Sequence, residues 1–558
     1  MQDPTFPWLT TLIVVPLIGA LVVWALPSSL HRHARVVALA TSLVVLALAV
    51  PATLAFDLGR AGQQQLTERV SWIPSFGVSY AVGVNGVGLS LVLLSVLLVP
   101  LVLLAAWREH PDAAAVVAKN RGGSRIRHYV ALILVLESFM VAVFAARDVF
   151  LFYVLFEAML IPVYFMIGAF GGLQRRYAAV KFLLFSLAGG LVMLAGVIAL
   201  YLNGPGGPEG FMIDKLVGAP LPVATERLLF LAFFFAFAIK APMWPVHTWL
   251  PDAAEQAPAG TSVLLVGVLD KVGTFGMLTL CLPLFPNASR WAAPVIIVLA
   301  VISILYGALL AIGQADLMRL IAYTSVSHFG FIVLGIFAFT SVSVQGASLY
   351  MVNHGLSTGA LFLLAGFLVA RRGTARIADY GGLQKVTPVL AGTFLVAGLS
   401  ALSLPGLSTF VSEFLVLVGT FASNRAAAIV ATAGVVLAAL YILLTYQRIF
   451  TGPVRAVAAA VTGTTTDVVA DGGSVAAPVT ADLSTREKWV VGPLLAAMLV
   501  LGFYPAPALD LLREPATKTL EQVGVKDVAA EPQAVGVAPA ADPQADASTS
   551  TSTDGSDQ

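Results

Sequence analysis

The segment Leu228-Leu-Phe-Leu-Ala-Phe-Phe-Phe-Ala-Phe-Ala-Ile-Lys240-Ala-Pro-Met-Trp-Pro-Val-His-Thr-Trp-Leu-Pro251 decides the fold, because an apolar run, a lysine and three prolines follow one another. The apolar run is typical of a membrane-spanning helix, and each proline removes a backbone donor and clashes with the preceding turn. Broken backbone at membrane depth is tolerated only beside protein or a wet cavity. A lysine at such a break therefore indicates a functional site inside the membrane.

The composition places the rest of the chain in the same environment. Of its 558 residues, 58% are hydrophobic and 11% are charged, which is typical of a polytopic membrane protein. Apolar runs of about 20 residues predict about 14 transmembrane helices in an all-α fold. Residues 1–7 contain no Lys or Arg, so we expect the first span to be retained and not cleaved as a signal peptide.

A second break, Leu402-Ser-Leu-Pro-Gly-Leu-Ser408, lies in the twelfth predicted span, five spans after the first. This offset favours two inverted five-helix repeats, each with a discontinuous helix, at residues 129–284 and 290–450. A packing kink is the alternative interpretation of the second break. The remaining ranges are predicted as follows: 1–128 an N-terminal three-helix segment, 451–488 a low-complexity cytoplasmic loop, 489–510 the last transmembrane helix, and 511–558 an extracytoplasmic tail, disordered in its last part.

Ionisable residues interrupt several predicted spans, namely Glu157, Lys240, Lys271, His328, His354 and Glu413. Burial in a medium of low dielectric disfavours the charged form of such groups, which brings them into the range of proton exchange. At an effective dielectric of about 20, moving a Glu–Lys pair from about 4 Å to about 8 Å halves an attraction of roughly 4 kcal/mol. Structural counter-charges and helix-packing histidines are the alternative interpretations.

Several motifs resemble one family. The stretch from Lys240 to Asp252, followed by Ala257-Pro258 and Lys271-Val-Gly-Thr-Phe-Gly276, is similar to the signature of the antiporter-like subunits of proton-translocating NADH:quinone oxidoreductase, respiratory complex I. That family is akin to the large subunits of multisubunit sodium/proton antiporters. The similarity extends through residues 150–162, 322–330 and 353–362, and covers about residues 130 to 450.

Within the family the chain most resembles the M-type subunits. Glu413 stands where the sister subunits L and N usually have lysine, and Glu137 resembles a glutamate that many M-type subunits carry. The resemblance implies that the chain moves protons, driven by electron transfer in other subunits. In that role Glu157 modulates Lys240, Lys271 forms a wet axis with His328 and His354, and Glu413 passes protons to or from one side.

The resemblance also implies partners and cofactors. The partners are other membrane subunits of complex I, especially the sister subunits L and N, together with lipid and without nucleic acid. We expect no cofactor or metal in this chain, whereas flavin, iron–sulfur clusters and quinone belong to partner subunits. The sequence contains no dinucleotide or Walker motif, and its single cysteine, Cys281, lies in an apolar run, so a cysteine-ligated cluster is not expected.

Two positions depart from the family pattern. Ala254 stands where the family usually has histidine, and Asp270 stands where it usually has leucine. Asp270 either tunes Lys271 or faces a neighbouring subunit, and both remain open. Lys181 fits a snorkelling interface lysine or a relay member, and His247 fits either a packing or a relay role.

Two other functions are compatible with the sequence. One is a subunit of a multisubunit sodium/proton antiporter, although no cage of Asn, Asp and Ser typical of a hard-cation site is visible in the spans. The other is an inert structural membrane scaffold, against which the cost of six buried ionisable groups argues.

The distribution of Lys and Arg predicts the orientation. Loops after odd-numbered spans carry eighteen of these residues, and the loops on the other side carry ten. Because cytoplasmic loops hold the excess of basic residues, we expect both termini to be extracytoplasmic in a multi-pass protein of the plasma (inner) membrane.

Overall fold

The computed structural model describes residues 6–107, 122–455 and 481–527, and helices dominate these residues. Helices α1 to α21 are, in order, Trp8–Ala25, Ala34–Leu54, Gly86–Ala105, Gly122–Ala145, Val149–Ala158, Leu160–Phe170, Arg175–Asn203, Ile213–Leu216, Val223–Lys240, Trp249–Gln256, Ala259–Leu264, Lys271–Gly276, Leu282–Leu284, Pro286–Ile312, Leu317–Phe337, Ser341–Arg372, Pro388–Ala401, Ser408–Ser423, Arg425–Phe450, Thr485–Phe503 and Ala506–Val523. Two π-helical turns, Leu265–Leu269 and Met277–Cys281, join α11, α12 and α13 into one continuous apolar segment.

The prediction of a helical, multi-pass membrane protein is confirmed. Within the described ranges, eleven helical segments are long and apolar enough to cross a membrane. The number rises to twelve if α20 and α21, which meet at an angle of 70°, are counted as one bent span. Two shorter apolar helices, α17 and α18, lie on either side of the second break.

A β-hairpin corrects the prediction that the fold is all-α. Strands β1, Gln65–Ile73, and β2, Val78–Val84, pair in antiparallel register between α2 and α3. The connecting turn ends at Gly77, whose φ of 68° is a left-handed conformation that favours glycine. The Glu68 carboxylate on β1 accepts a hydrogen bond from the backbone N–H of Leu9 at 2.9 Å, so the hairpin is fixed to the first helix.

The end of the described chain also differs from the prediction. The last apolar helix, α20, begins at Thr485, because Ser484 and Glu487 form a capping box before the predicted loop ends at residue 488. It ends at Phe503, short of the predicted 510, and α21 occupies part of the predicted tail. Helix α21 packs on α16, where Gln345 Nε2 donates to the carbonyl of Leu509 at 2.7 Å.

The polar composition of α21 explains why apolar periodicity did not reveal it. Residues 456–480 of the predicted low-complexity loop and residues 528–558 of the predicted tail, where disorder is expected, lie outside the described residues.

The most buried helices lie in the middle of the protein. Helices α15 and α16 and the segment from α11 to α13 are buried over nearly their whole length, whereas α1, α2, α7 and α19 leave one face exposed. On α7 the exposed face carries Leu184, Leu191 and Ile198, which are seven residues apart and therefore share one face of the helix. Such apolar faces are suited to contact lipid, so we expect the polar groups within the membrane to lie on the buried helices.

Glycines allow a close backbone contact between α14 and α15. A Cβ atom at Gly330 would lie 2.7 Å from the carbonyl oxygen of Ala300, and one at Gly307 would lie 2.6 Å from the backbone nitrogen of Ser327. Because lipid supplies no hydrophobic force between helices, close backbone approach of this kind is a main source of helix association in membranes.

We expect Gly330→Val to destabilise the protein by about 1–3 kcal/mol or more, because the new side chain meets backbone atoms that cannot yield. Gly392→Val on α17 is the matched control, since no atom lies within 4 Å of a Cβ at that position. Thermal unfolding of the two purified variants checks this. Equal melting temperatures for both would show that close packing of α14 on α15 contributes nothing.

Candidate functional site

The first break separates α9 from α10 directly after Lys240. The indole Nε1 of Trp249 donates to the carbonyl of Ile239 at 2.9 Å, and the backbone N–H of Trp244 donates to Ser303 Oγ at 2.8 Å. The Trp244–Pro245 peptide bond is cis. Backbone groups that the prolines release are thus bonded to neighbouring protein, as interrupted helices in a membrane require.

Lys240 is almost fully buried, with 1% of its surface exposed. Its Nζ lies 5.1 Å from the ring centre of Phe156 and 5.7 Å from that of Phe182, and within the described chain it has no hydrogen-bond partner. Glu157 on α5 interacts with it electrostatically. The Glu157 carboxylate fits because Gly190 on α7 has no side chain, and a Cβ there would overlap Oε1.

Asp148, outside the membrane-spanning segments, starts the helix that carries Glu157. Its carboxylate accepts hydrogen bonds from the backbone N–H groups of Leu151 at 2.9 Å and Ser79 at 3.0 Å. It therefore caps α5 and joins it to the hairpin. Burial raises the pKa of this carboxyl above its ordinary value, and the backbone hydrogen bonds oppose that rise.

Lys271 and His354 are in direct contact. Lys271 Nζ donates to the carbonyl of Val266 at 2.5 Å and lies 2.7 Å from His354 Nδ1. It also lies over the ring of Phe329, 5.1 Å from its centre. The π-helical turn that precedes Asp270 is a type of irregularity that is frequent at functional sites.

A hydrogen-bonded chain leads from His328, beside His354, to Glu413. The rings of His354 and His328 lie 5.4 Å apart, and His328 Nδ1 lies 2.6 Å from the hydroxyl of Tyr350. That hydroxyl donates to Glu413 Oε2 at 2.7 Å, and Ser403 Oγ donates to the same oxygen at 2.5 Å.

The donors in this chain fix the tautomer of His328. Tyr350 has one hydroxyl proton, which it donates to Glu413 Oε2. Its oxygen must then accept the Nδ1–H of His328, which leaves Nε2 as an acceptor. The Tyr441 hydroxyl lies 3.4 Å from Nε2 and is placed to donate to it.

The second break lies beside Glu413. Helix α17 ends at Ala401 and α18 begins at Ser408, and between them Ser403 has a φ of 61°. This left-handed conformation costs a non-glycine residue roughly 1–2 kcal/mol. It accompanies the contact between the Ser403 hydroxyl and the Glu413 carboxylate, so the backbone of the break shapes the site.

An ionic cluster lies beside the first break. Asp252 contacts Lys181 at 2.6 Å and Arg319 at 2.5 Å, and Arg319 also contacts Glu255 at 2.9 Å. Lys181 therefore pairs with α10. His247 is buried nearby, with its ring 5.2 Å from that of Tyr306, and neither ring nitrogen has a hydrogen-bond partner among the described residues.

The predicted site residues fall into three groups. Lys271, His354, His328 and Glu413 form one row, and Glu157 with Lys240 forms a second unit. Glu137 is fully buried, and neither carboxylate oxygen has a hydrogen-bond partner within the described ranges, so it joins neither group by direct contact. In the described part of the chain no cluster of three or more His, Cys, Asp or Glu is suited to a metal ion.

Sequence reasoning did not single out Tyr350 and Ser403, although both touch Glu413. Tyr350 could have been found, because it stands four residues before His354 and therefore on the same face of α16. Ser403 lies within the second break, but only its left-handed backbone conformation, seen in the structure, shows where its hydroxyl points.

Comparisons with known proteins support one family. A family model described as "NADH:quinone oxidoreductase/Mrp antiporter, TM" matches residues 146–440. The chain is 47% identical to NADH-quinone oxidoreductase subunit M of Mycobacterium tuberculosis over 548 residues, which cover 94% of this chain and 96% of that relative. It is 38% identical to the subunit of the same name from Rhodobacter capsulatus, with 86% and 89% of the two chains covered.

Solved structures share the fold. A chain of respiratory complex I from Thermus thermophilus with bound NADH superposes with a TM-score of 0.78 at 30% identity, and the match covers 93% of this chain and all of that one. A chain of the Mrp complex from Dietzia has a TM-score of 0.77 at 24% identity, with 92% and 98% covered. At that identity the second likeness shows the fold alone.

We expect Tyr350→Phe to lower the stability of the protein by about 1–3 kcal/mol, because it leaves His328 Nδ1 without its partner and Glu413 with one donor fewer. Tyr446→Phe is the control, since Tyr446 stacks on Phe450 at the partly buried end of α19. Thermal unfolding measures both. A Tyr350→Phe variant as stable as Tyr446→Phe would mean that this hydrogen-bonded row adds nothing to the fold.

Proposed function

This chain belongs to the NADH:quinone oxidoreductase/Mrp antiporter family and is a proton-translocating membrane subunit, and from that premise we propose that its buried Glu, Lys and His residues carry the protons. Its relatives are named as subunits of NADH-quinone oxidoreductase, an enzyme complex to which this chain contributes a membrane subunit. The residues proposed to carry protons are Glu137, Glu157, Lys240, Lys271, His328, His354 and Glu413.

One observation supports this assignment above the others. From Lys271 Nζ to Glu413 Oε2, polar atoms of His354, His328 and Tyr350 follow one another through the buried centre. Ring nitrogens and hydroxyls both accept and donate protons, so a proton can pass directly from Lys271 to His354 and from His328 through Tyr350 to Glu413. Between the two histidine rings, where His354 Nε2 has no hydrogen-bond partner in the described chain, the transfer requires a bridging water. An inert scaffold has no use for such a row, because each buried ionisable group costs free energy.

The Glu157–Lys240 pair supplies the control step in this proposal. When Glu157 is near, its negative charge holds the proton on Lys240, and when that attraction weakens, the buried ammonium releases its proton. The released proton passes towards Lys271, whose amine becomes an ammonium. Lys271 then passes a proton to His354, and Glu413 delivers one at the end of the row.

The two breaks support the finer architecture. Three helical segments lie outside the set of eleven, namely Val223–Lys240 with the short Trp249–Gln256, Pro388–Ala401 with Ser408–Ser423, and Thr485–Phe503. Adding these three interrupted or terminal segments gives fourteen spans. The breaks then lie in the seventh and twelfth, as two inverted five-helix repeats require, and each break carries an ionisable side chain, Lys240 in one and Glu413 in the other.

Membership of this family also supports a proposal about partner subunits, location and orientation. We propose that it works beside the sister subunits L and N in the plasma membrane, with both termini extracytoplasmic. Flavin, iron–sulfur clusters and quinone belong to other subunits, and electron transfer there drives the proton movement here. A sodium/proton antiporter subunit is the second function, supported by the shared fold of the Mrp chain, but the names of the most similar relatives favour the quinone reductase.

The proton-carrying role is tested with Lys240→Ala in the assembled complex. Removing the amine should lower proton translocation coupled to NADH oxidation by roughly tenfold or more, in line with the loss of one positioned acid or base. Lys518→Ala is the matched control, because Lys518 lies on α21, outside the proposed path, and its Nζ donates to the carbonyl of Gly62. Inverted membrane vesicles give both the NADH oxidation rate and the proton-to-electron ratio. A Lys240→Ala complex that assembles and pumps normally would refute the assignment.

The orientation is tested by labelling single cysteines in a Cys281→Ala background. Ala224 and Ala378 are both exposed, one at the start of α9 and the other in the loop after α16. If both termini are extracytoplasmic, Ala224→Cys should react with an impermeant maleimide in cells whose outer layers are permeabilised, and Ala378→Cys should react only after the membrane is opened. The reverse pattern would invert the proposed direction of the subunit.

A further inference from the structure

Asp270 is the buried charge that the proposed path does not yet use. It lies between the π-helical turn Leu265–Leu269 and α12, and none of its surface is exposed. Neither carboxylate oxygen has a hydrogen-bond partner in the described chain. A carboxyl left this way inside a protein is costly, so either a neighbouring charge or a transferable proton must compensate.

The backbone around Asp270 shows which way it faces. Gly273, one turn further along, packs directly on the end of α9, where a Cβ would lie 2.5 Å from the carbonyl oxygen of Phe237 and 2.7 Å from the nitrogen of Ala241. Residues three apart on a helix share a face, so Asp270 also faces α9, whose last residue is Lys240. The carboxylate and that lysine interact electrostatically.

The next residue faces another helix. Lys271 is about 100° further around the helix and contacts His354 on α16 at 2.7 Å. Gly267, one turn earlier on that face, would place a Cβ 3.6 Å from the carbonyl oxygen of Gly355, also on α16. Asp270 and Lys271 thus stand at the border of two faces, one towards Lys240 and the other towards the histidine row.

We propose that Asp270 is a proton-carrying residue that links Lys240 to Lys271, an inference that rests on the proposed function. The Lys240 ammonium gives its proton to the Asp270 carboxylate and becomes a neutral amine. The Asp270 carboxylic acid then gives that proton to the neutral Lys271 amine, which becomes an ammonium, and the carboxylate is restored. Protons and charge balance at each step.

The order of charges supports this role over a counter-charge alone. Glu157, Lys240, Asp270 and Lys271 alternate in sign along the path, so Asp270 lies between one basic group that can give it a proton and another that can take the proton from it. Glu157 Oε1, Lys240 Nζ and both Asp270 oxygens all lack partners within the described ranges. Such a set of adjacent unpaired polar atoms is what bridging water needs in order to be held.

The burial of Asp270 decides between the two roles that its sequence position allows, which are to tune Lys271 or to face a neighbouring subunit. A residue that faced a neighbouring subunit would be exposed on this chain, whereas Asp270 is fully enclosed by it.

The test compares Asp270→Asn, which keeps the size but cannot carry a proton, with Asp270→Glu, which keeps the carboxyl. Cys281→Ala is the control for disturbance of the same segment, because Cys281 is buried eleven residues further along it. In vesicles holding the assembled complex, we expect Asp270→Asn to lower coupled proton translocation by roughly threefold to tenfold, and Asp270→Glu to keep at least about half of it. Cys281→Ala should match the parent protein.

A second readout separates a carrier from a structural charge. Infrared difference spectra recorded during turnover should contain a carboxylic-acid band that Asp270→Asn removes and Asp270→Glu shifts. Equal losses of translocation in both variants, with that band unchanged, would make Asp270 a structural counter-charge. If Asp270→Asn does not assemble, an unshifted band in Asp270→Glu overturns the inference.

Lys240→Ala, measured alongside, keeps this test apart from that of the proposed function. Normal translocation in Asp270→Asn with impaired translocation in Lys240→Ala would refute the role of Asp270 alone. Normal translocation in both would refute the pump assignment itself.

Discussion

The cost of leaving polar groups unsatisfied in hydrocarbon governs this structure. Lipid offers no hydrogen bonds, so every carbonyl freed by a proline and every buried charge must be compensated by the protein or by water held inside it. The first break meets this demand through Trp249 and Ser303, which bond to released backbone groups. The site forms where the demand is met by ionisable side chains, and the most buried helices, α15 and α16, carry part of them.

Much of the fold could be predicted because lipid imposes a simple rule on sequence. Long apolar runs and proline-rich breaks indicated spans and their interruptions, and α9 does end at Lys240. The hairpin and α21 were missed because both are amphipathic or polar segments, in which the length of apolar runs carries no information. Their stability comes from tertiary contacts such as the one between Gly62 N–H and Glu514 Oε2 at 2.9 Å.

The residues of the site could likewise be predicted only in part from the sequence. Ionisable residues in apolar runs are conspicuous, so Lys271, His354 and Glu413 could be selected without coordinates. Tyr350 is an ordinary aromatic residue in a sequence, and only packing shows that its hydroxyl joins His328 to Glu413. The direction that Asp270 faces likewise depended on Gly273, whose missing side chain lets two backbones approach.

The two halves of the proposed proton path differ in their hydrogen bonding, and the difference affects how proton release from Lys240 is controlled. From Lys271 to Glu413 most polar atoms have protein partners, and His354 Nε2 is the exception among the described residues, so this half holds most of its geometry without added water. From Glu157 through Lys240 to Asp270, several atoms have no such partner in the described chain, and proton transfer there requires water to enter. Entry of water weakens the attraction between Glu157 and Lys240, but it also solvates the Lys240 ammonium, so its two effects on the proton of Lys240 oppose each other. Hydration of this half therefore connects the path without by itself releasing the proton, so a small movement of α5 or α9 that admits water would open the route, and the distance from Glu157 to Lys240 would decide when the proton leaves.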